Sequence, residues 1–250
     1  MKTYISTKLK YEILGVILLA IIWQVLSVLI DQNSLLLPSP IDTVKHCFIL
    51  FQGSYIYECI FETFNKMIIG FSISFMIAFV LGIIAGNSEK FQLIILPFIS
   101  LCKSIPTASL VYLFILISGV SNAPIYIVVL ISLPILYESV CSGLTSVDKE
   151  LIEAGQVDGS SFFNTIIRIK LPLAIPYIIL GIKQSFALAF KVEIMAEVIT
   201  GSSSNGLGCA IVSAQRNDPT NMVPVFAYSL IAILIMLIID LLFSLSKSND

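Results

Sequence analysis

Charged side chains inside long apolar runs are the residues of this sequence that are best placed to do chemistry. Six candidates lie in or beside runs long enough to cross a membrane: Lys103, Glu138, Lys183, Lys191, Glu193 and Glu197. A charge is costly in lipid, so these side chains are expected to pair with one another or to face protein or water. Lys191 lies near the end of its run, and snorkelling to the interface is the alternative for it. The lysines favour an anionic solute and the glutamates oppose one, so charge selects no solute.

An enzyme would need a different set of residues. His46 is the only histidine, which excludes a two-histidine metal motif, and no Gly-Lys dipeptide occurs, which excludes a phosphate-binding loop. The five cysteines have no ligand-like spacing and predict neither a disulfide framework nor a metal site. The sequence therefore predicts no catalytic residue, no metal site and no cofactor in this chain.

The composition places those charges in a membrane protein. The 250 residues are 57% hydrophobic and only 12% charged, whereas about a quarter of the residues in an ordinary soluble domain are charged. A soluble fold of this length has too little interior for so many apolar residues. The net charge of −2 and the lack of a large lysine and arginine cluster argue against nucleic acid as a partner. The first apolar run, 13–30, is too long for a secretion signal and is expected to remain as a span.

The apolar runs predict an all-α, polytopic membrane protein with a single domain, residues 1–250. About 20 apolar residues in a helix cross a bilayer, and the sequence has six runs with these approximate bounds: 13–30, 64–86, 92–117, 123–142, 172–190 and 222–244. Pro97 and Pro106 are expected to bend the third span, because each proline removes a helical hydrogen bond.

Smaller signals predict how the first spans are connected and packed. Gly70, Gly82 and Gly86 in the second span are small positions that let neighbouring helices approach closely. Between the first two spans, Ser39 or Asp42 is expected to cap a helix. An interfacial amphipathic helix and a plain external connector fit that segment equally well.

The distribution of lysine and arginine predicts the orientation. Six spans put both termini on one side of the membrane, and positive residues are more frequent in cytoplasmic segments. With cytoplasmic termini, eight of the 14 lysines and arginines lie in inside segments and two, Lys45 and Arg216, lie in outside loops. The termini and the polar segment 144–171 are therefore predicted to be cytoplasmic.

That segment contains LIEAGQVDGSSFFNTIIRIKLPLAIP, residues 151–176, the most polar long passage in the middle of the chain. Asp148 is placed to cap a short helix that begins near Lys149, where acidic residues suit the helix dipole. Gly155 and Gly159 are expected to bracket a sharp turn after this helix. The first half of the segment therefore predicts a short helix followed by a bend.

The second half predicts another short helix, capped by Asp158 or Ser160. Its apolar residues are Phe162, Phe163, Ile166, Ile167 and Ile169. Pro172 then suits the first turn of the fifth span, where its missing N–H costs nothing. Two short helices with an apolar surface suit the docking of a partner, and an ordinary intracellular loop is the alternative.

The same residues carry a resemblance. EAGQVDG, followed by nine residues and IKLP, resembles the loop signature of ABC importer permeases: Glu-Ala-Ala, three residues, Gly, nine residues, Ile-x-Leu-Pro. The matching residues are Glu153, Ala154, Gly159, Ile169, Leu171 and Pro172. Gly155 replaces the usual second alanine. LLLPSPIDTV and EVITGSSSNGLGCAI are similar to segments of the nitrate, sulfonate and taurine branch.

This resemblance implies a permease with the type I ABC importer fold. It implies that the chain pairs with a second copy, binds two cytoplasmic ATPase subunits that hold ATP and Mg, and receives solute from an extracytoplasmic binding protein. In the coupling loop, Glu153 is expected to be an ionic or hydrogen-bonding anchor and Ala154 and Gly155 to make close contacts. Gly159 is expected to form the turn, beside Asp158.

The solute path is predicted from residue types in the spans. Lys103, Thr107 and Tyr112 in the third span are expected to form part of its wall, and the other candidates are Glu138, Lys183 and Glu197. The resemblance implies sulfonate, taurine or nitrate as the solute, with a vitamin precursor or another aromatic compound as the alternative. An ion-coupled secondary carrier is the alternative from another class of protein.

Overall fold

The computed structural model describes residues 2–30, 36–157, 160–201 and 205–246. These residues form helices and turns without a β-strand, which confirms the all-α class. The helices are α1 (Lys2–Ile30), α2 (Pro40–Gln52), α3 (Tyr55–Asn87), α4 (Glu89–Ser104), α5 (Thr107–Ser118), α6 (Ala123–Thr145), α7 (Lys149–Val157), α8 (Phe162–Thr165), α9 (Leu171–Thr200), α10 (Leu207–Asn217) and α11 (Val223–Ser246). A π-helical turn, Ile166–Lys170, joins α8 to α9.

Four helical segments in the described part of the chain are long and apolar enough to cross a membrane. They are α3, α6, the run Phe162–Thr200 and most of α11. Helices α4 and α5 qualify only together, as a broken fifth span, and the apolar part of α1, Leu14–Ile30, is shorter. The six predicted spans are thus all represented by apolar helices, but the first and third are less regular than predicted.

The third span is broken, where the sequence analysis predicted one bent helix over 92–117. Helices α4 and α5 meet at 99°. Pro97 lies inside α4, and the break occurs at Ile105 and Pro106. Ile105 is extended, with ψ of 128°, because the ring of a following proline disfavours the helical conformation.

The connection between α1 and α3 begins with a capped helix. Ser39 is the N-cap of α2, and its Oγ accepts a hydrogen bond from the Asp42 N–H. The Trp23 indole donates to the Pro38 carbonyl at 3.1 Å, which attaches α1 to this connection. Helix α3 begins at Tyr55, well before residue 64, where the second span was predicted to start. The connector between the first two spans is therefore shorter than predicted.

Helices α3, α6 and α9 form the centre of the fold, and glycines set their spacing. A Cβ atom at Gly82 would lie 2.6 Å from Val140 Cβ, and one at Gly86 would lie 2.7 Å from Leu144 Cβ. Gly70 is equally close to α6. The three glycines of the second span are therefore contact positions, as predicted. No larger residue fits these positions unless the helices move apart.

The polar segment forms a bent helical pair, but several predicted details are wrong. Helix α7 begins at Lys149 as predicted, yet it continues through Gly155 to Val157, so Gly155 does not begin the turn. The N-cap of α8 is Ser161, which accepts from Asn164 N–H, rather than Ser160. Asp158 and Gly159 lie outside the described residues.

The second short helix is also not separate from the fifth span. Helix α8, the π-helical turn and α9 form one continuous helix. Proline lacks an N–H and crowds the carbonyl four residues earlier, which for Pro172 is that of Arg168. The wider turn immediately before Pro172, in which Leu171 N–H donates to Ile166 O, accommodates the proline without a break.

Candidate functional site

The turn between α7 and α8 presents large apolar side chains to the surroundings. We define the loop surface by five residues: Leu151, Val157, Phe162, Phe163 and Ile167. Their exposed fractions range from 49% at Leu151 to 87% at Val157. Glu153 and Ala154 of the predicted coupling residues are also exposed. An exposed apolar group of this kind next to polar residues is typical of a protein interaction site.

Gly155 is explained by packing within the loop. A Cβ atom at this position would lie 2.5 Å from Cδ1 of Ile169. The glycine that departs from the loop signature therefore lets α7 lie against the π-helical turn at another signature residue. Leu171, half-buried, packs beside Val140, Leu144 and Ala174. The loop is thus attached to the ends of α6 and α9, while Pro172 stays exposed.

A polar contact ties the same end of α9 to α3. The Lys170 ammonium donates a hydrogen bond to Asn87 Oδ1 at 2.7 Å, and both residues are half-buried. Asn87 is the last residue of α3, and its Nδ2 donates to Ile83 O at 2.8 Å. The asparagine amide is therefore held in the orientation that offers its oxygen to the lysine.

The opposite end of α9 carries a fully buried polar cluster around Glu197. Its Oε2 accepts hydrogen bonds from Thr63 Oγ1 and from Gly208 N–H, both at 2.9 Å. The Lys66 ammonium lies 3.5 Å from Oε1. Leu207 N–H in turn donates to Thr63 Oγ1 at 2.8 Å. The carboxylate therefore joins α9 to α3 and to the first turn of α10.

Glu193 lies one turn earlier on α9 and is also fully buried. Neither of its carboxyl oxygens has a hydrogen-bond partner among the residues that the structure describes. An isolated ionised carboxylate in such surroundings is very costly. The two glutamates lie one turn apart on α9 and differ in their hydrogen bonding. Of the two, only Glu197 is hydrogen-bonded to α3 and α10.

Two of the predicted path residues meet. Lys103 at the end of α4 forms an ion pair with Glu138 of α6, and each side chain is almost half exposed, at 46% and 47%. Tyr112 of α5 is 64% exposed, and Thr107 is half-buried. These four residues lie beside the break in the third span.

The other predicted path residues do not join them in a single site. Lys183 donates to Phe243 O at 2.8 Å and lies over the Phe243 ring. It lies roughly 20 Å along α9 from Glu197, at a rise of 1.5 Å per residue. The candidates of the sequence analysis therefore occupy three regions of one chain.

A cleft between α9 and α11 contains a charge that the sequence analysis missed. Its volume is about 430 Å³, and Lys191 and Asp240 line it together with apolar residues. Asp240 interrupts the last apolar run, so the sequence alone could have identified it as a candidate site residue. Thr63 and Lys66 were also missed as site residues. Lys66 could have been noticed as a charge at the start of the second run, whereas nothing in the sequence indicates that Thr63 meets Glu197.

The sequence comparisons match a family of membrane transport components. Residues 78–248 match the family model described as binding-protein-dependent transport system inner membrane component. The chain is 28% identical over 203 residues to the putative aliphatic sulfonates transport permease protein SsuC of Bacillus subtilis, covering 81% of this chain and 73% of that protein. It is 26% identical to the carnitine transport permease protein OpuCD of Listeria monocytogenes, covering 68% and 77%.

The fold is similar to that of solved transporters. A crystal structure of an amino acid ABC transporter with histidines matches with a TM-score of 0.68 at 16% identity. The match covers 81% of this chain and 97% of the chain in that structure. At this identity the likeness establishes the arrangement of the helices, and it says nothing about the solute.

Proposed function

Because the chain belongs to the family of binding-protein-dependent transport system inner membrane components, we propose that it forms the solute path of an ATP-driven importer for a small anion. It is a multi-pass membrane protein, an ABC importer permease with the type I fold. Its relatives are permease components, and ATP hydrolysis belongs to separate subunits. ATP and Mg are therefore assigned to a partner ATPase.

The observation that carries the coupling role is the loop surface. Its apolar side chains are exposed on the bent pair α7 and α8, which also carries the signature residues Glu153 and Ala154. An ATPase subunit that covers this surface would bury apolar area, and it would hold the pair through contacts at both helices. Asp158 and Gly159 complete the proposed coupling segment, with Ile169, Leu171 and Pro172 anchoring it to α9.

The orientation follows from charges at the same end of the molecule. Lys90, Lys149, Arg168 and Lys170 all lie at the end where α3 and α6 finish and α9 begins. The excess of positive residues supports a cytoplasmic position for this end and for both termini. The opposite end, with α2 and α10, then faces the extracytoplasmic binding protein. A second copy of the chain completes the membrane part, and a homodimer is the simplest assembly.

A sulfonate, taurine or nitrate remains the proposed solute. The sulfonate permease relative and the branch-like segments around LLLPSPIDTV and the glycines near Gly206 support an anion. Lys103, Thr107, Tyr112 and Glu138 form the proposed path wall beside the broken third span, and Lys183 and Glu197 are further candidates. Mass spectrometry of the ligand retained by the cognate binding protein tests the solute class, and an aromatic vitamin precursor there would replace the anion.

Two exposed phenylalanines give a matched test of the coupling assignment. Phe162 in the loop surface and Phe48 in α2 are 69% and 68% exposed. Phe162→Asp is expected to abolish co-purification of the ATPase subunit, whereas Phe48→Asp retains it. Gly159→Trp is expected to behave like Phe162→Asp and to abolish uptake as well. Unchanged assembly and uptake in both loop variants would exclude the coupling role.

A further inference from the structure

We infer that the hydrogen bond from Lys170 to Asn87 transmits movement of the coupling segment to α3, which makes Lys170 a positioning residue for transport. The inference rests on the proposed function, because it requires an ATPase that moves the loop surface. It adds a route of transmission that does not run along α9. The loop signature leaves position 170 open, since it lies between Ile169 and the Leu-Pro pair, so the signature does not assign a role to Lys170.

The first step of the route runs from α7 to the π-helical turn. Gly155 lets Ile169 approach α7 more closely than an alanine would, and α7 contacts the turn directly. Helix α8 continues into the turn without a break. A displacement of α7 and α8 therefore moves the residues of the turn, which include Lys170.

The second step crosses from the turn to α3. Lys170 is the last residue of the π-helical turn, and its ammonium reaches Asn87 Oδ1 at 2.7 Å across 83 positions of sequence. π-Helical turns inside longer helices are frequent at functional sites, and the extra residue changes the direction of the side chains that follow. The amide of Asn87 is fixed by its own bond to Ile83 O, so it receives the displacement as part of α3.

The third step carries the displacement through the membrane part. Helix α3 packs against α6 at Gly82 and Gly86, where a Cβ atom would lie 2.6 to 2.7 Å from α6 side chains. Packed helices at this distance move together, since close-packed interiors transmit strain. A pull on Asn87 therefore shifts α3 and α6 as a pair, and α6 carries Glu138 of the proposed path.

The half-buried position of the bond suits a contact that persists during movement. A lysine has four rotatable side-chain bonds and three donors, so its ammonium follows an acceptor over several conformations. The side chain of Lys170 donates to Asn87, and no carboxylate lies within salt-bridge distance of it in the described part of the chain. Its charge is therefore available to strengthen this hydrogen bond.

The experiment uses the complete importer in proteoliposomes, with ATPase and binding protein, and measures solute molecules taken up per ATP hydrolysed. Lys170→Met is expected to lower this ratio about tenfold, the effect of losing a charge-assisted hydrogen bond. Co-purification of the ATPase and its basal hydrolysis rate are expected to stay at the level of the unmodified protein. Lys170→Arg, which keeps a charged donor, is expected to retain the ratio within about twofold.

A lysine at the same end serves as the control. Lys90 is exposed and lies in the first turn of α4, next to the end of α3, and Lys90→Met is expected to leave the ratio unchanged. If Lys170→Met does not fold, the exchange variant with Lys170→Asn and Asn87→Lys is measured instead. This variant is expected to transport. An unchanged ratio in Lys170→Met, or a loss in Lys170→Arg equal to that in Lys170→Met, would overturn the inference. Failure of the unmodified chain to bind any ATPase would instead overturn the proposed function.

Discussion

Helix α9 is attached to α3 at both of its ends, and the two attachments differ in kind. At the proposed outer end, Glu197 is fully buried and accepts from Thr63 and from the backbone of Gly208, with Lys66 beside it. At the proposed cytoplasmic end, one hydrogen bond joins the half-buried Lys170 and Asn87. The first attachment has several partners and no solvent, whereas the second has one partner and lies beside an exposed loop surface.

From this difference we expect the Glu197 end of α9 to stay fixed to α3 and the Lys170 end to be the one that shifts. Breaking the buried cluster would leave the Glu197 carboxylate without its hydrogen bonds in a region of low dielectric constant. The single bond at the other end is made by a flexible lysine side chain that is only half-buried, so that end can shift without separating a buried charge from its partners. A permease that responds to an ATPase needs a displaceable end, and the proposed coupling segment lies at the end with the single bond.

The largest expected effect breaks the buried attachment. Glu197→Ala removes the acceptor for Thr63 and Gly208 and leaves Lys66 without its carboxylate, which is expected to cost about 3–5 kcal/mol. The measurement is the thermal unfolding midpoint in detergent together with the yield of folded protein. Glu193→Gln is the matched control, one turn away and without a hydrogen-bond partner among the described residues, and it is expected to change stability by less than about 1 kcal/mol. Equal losses in both variants would show that Glu197 is not a special attachment.

The next effect tests whether α3 is the rigid element that joins the two ends. Gly82→Ala places a Cβ atom 2.6 Å from Val140 Cβ, and the resulting separation of α3 and α6 is expected to cost about 1–3 kcal/mol. Gly15→Ala in α1 is the control, because its Cβ would meet nothing within 4 Å, and it is expected to be neutral or slightly stabilising. Thermal unfolding of both variants in the same detergent distinguishes them. A neutral Gly82→Ala would mean that the seam between α3 and α6 is loose.

The sequence predicted those parts of the fold that depend on one segment at a time. Apolar runs of bilayer length gave the spans, because lipid imposes a minimum length on any helix that crosses it. The first residue of α7 and the Ser39 cap also followed from local chemistry. A bend at Pro106 was expected, whereas a break into two helices at 99° was not, since that angle depends on what α5 packs against.

The predictions that failed, and the features that were missed, depend on contacts between distant segments. Thr63 and Glu197 are separated by 134 positions, and no pattern near either residue identifies the other. Gly155 was interpreted as a turn residue and as a close contact of the coupling loop, because the position of Ile169 beside it is a property of the folded pair. The π-helical turn before Pro172 was missed for a similar reason, since the sequence rule for proline predicts a helix start there. The six path candidates were predicted as a group, and only Lys103 and Glu138 form a direct pair.

A smaller effect is expected within the displaceable end. Gly155→Ala crowds only the terminal methyl group of Ile169, which is able to rotate, and alanine is up to about 1 kcal/mol better than glycine in a helix. The net change in unfolding free energy is therefore expected to be below about 1 kcal/mol, while the affinity for the ATPase falls as α7 moves away from the turn. Adding Ile169→Val is expected to restore that affinity, measured by co-purification. A loss of affinity that Ile169→Val leaves unchanged would place the role of Gly155 at the partner rather than within the loop.

The smallest effect on stability is expected at the break in the third span. Lys103 and Glu138 are each almost half exposed, and pairs of this kind contribute less than about 1 kcal/mol because solvent screens them and long side chains lose entropy. Lys103→Met is therefore expected to leave the unfolding midpoint almost unchanged, but to alter the KM of uptake if the pair lines the path. The reversed pair, Lys103→Glu with Glu138→Lys, keeps the bridge while it exchanges the two charges. Uptake that depends on the bridge is retained in the reversed pair, and uptake that depends on a cation at position 103 is lost. Unchanged KM in both variants would remove Lys103 from the path and leave Lys183, Glu197 and the cleft of Lys191 and Asp240 as the charged candidates.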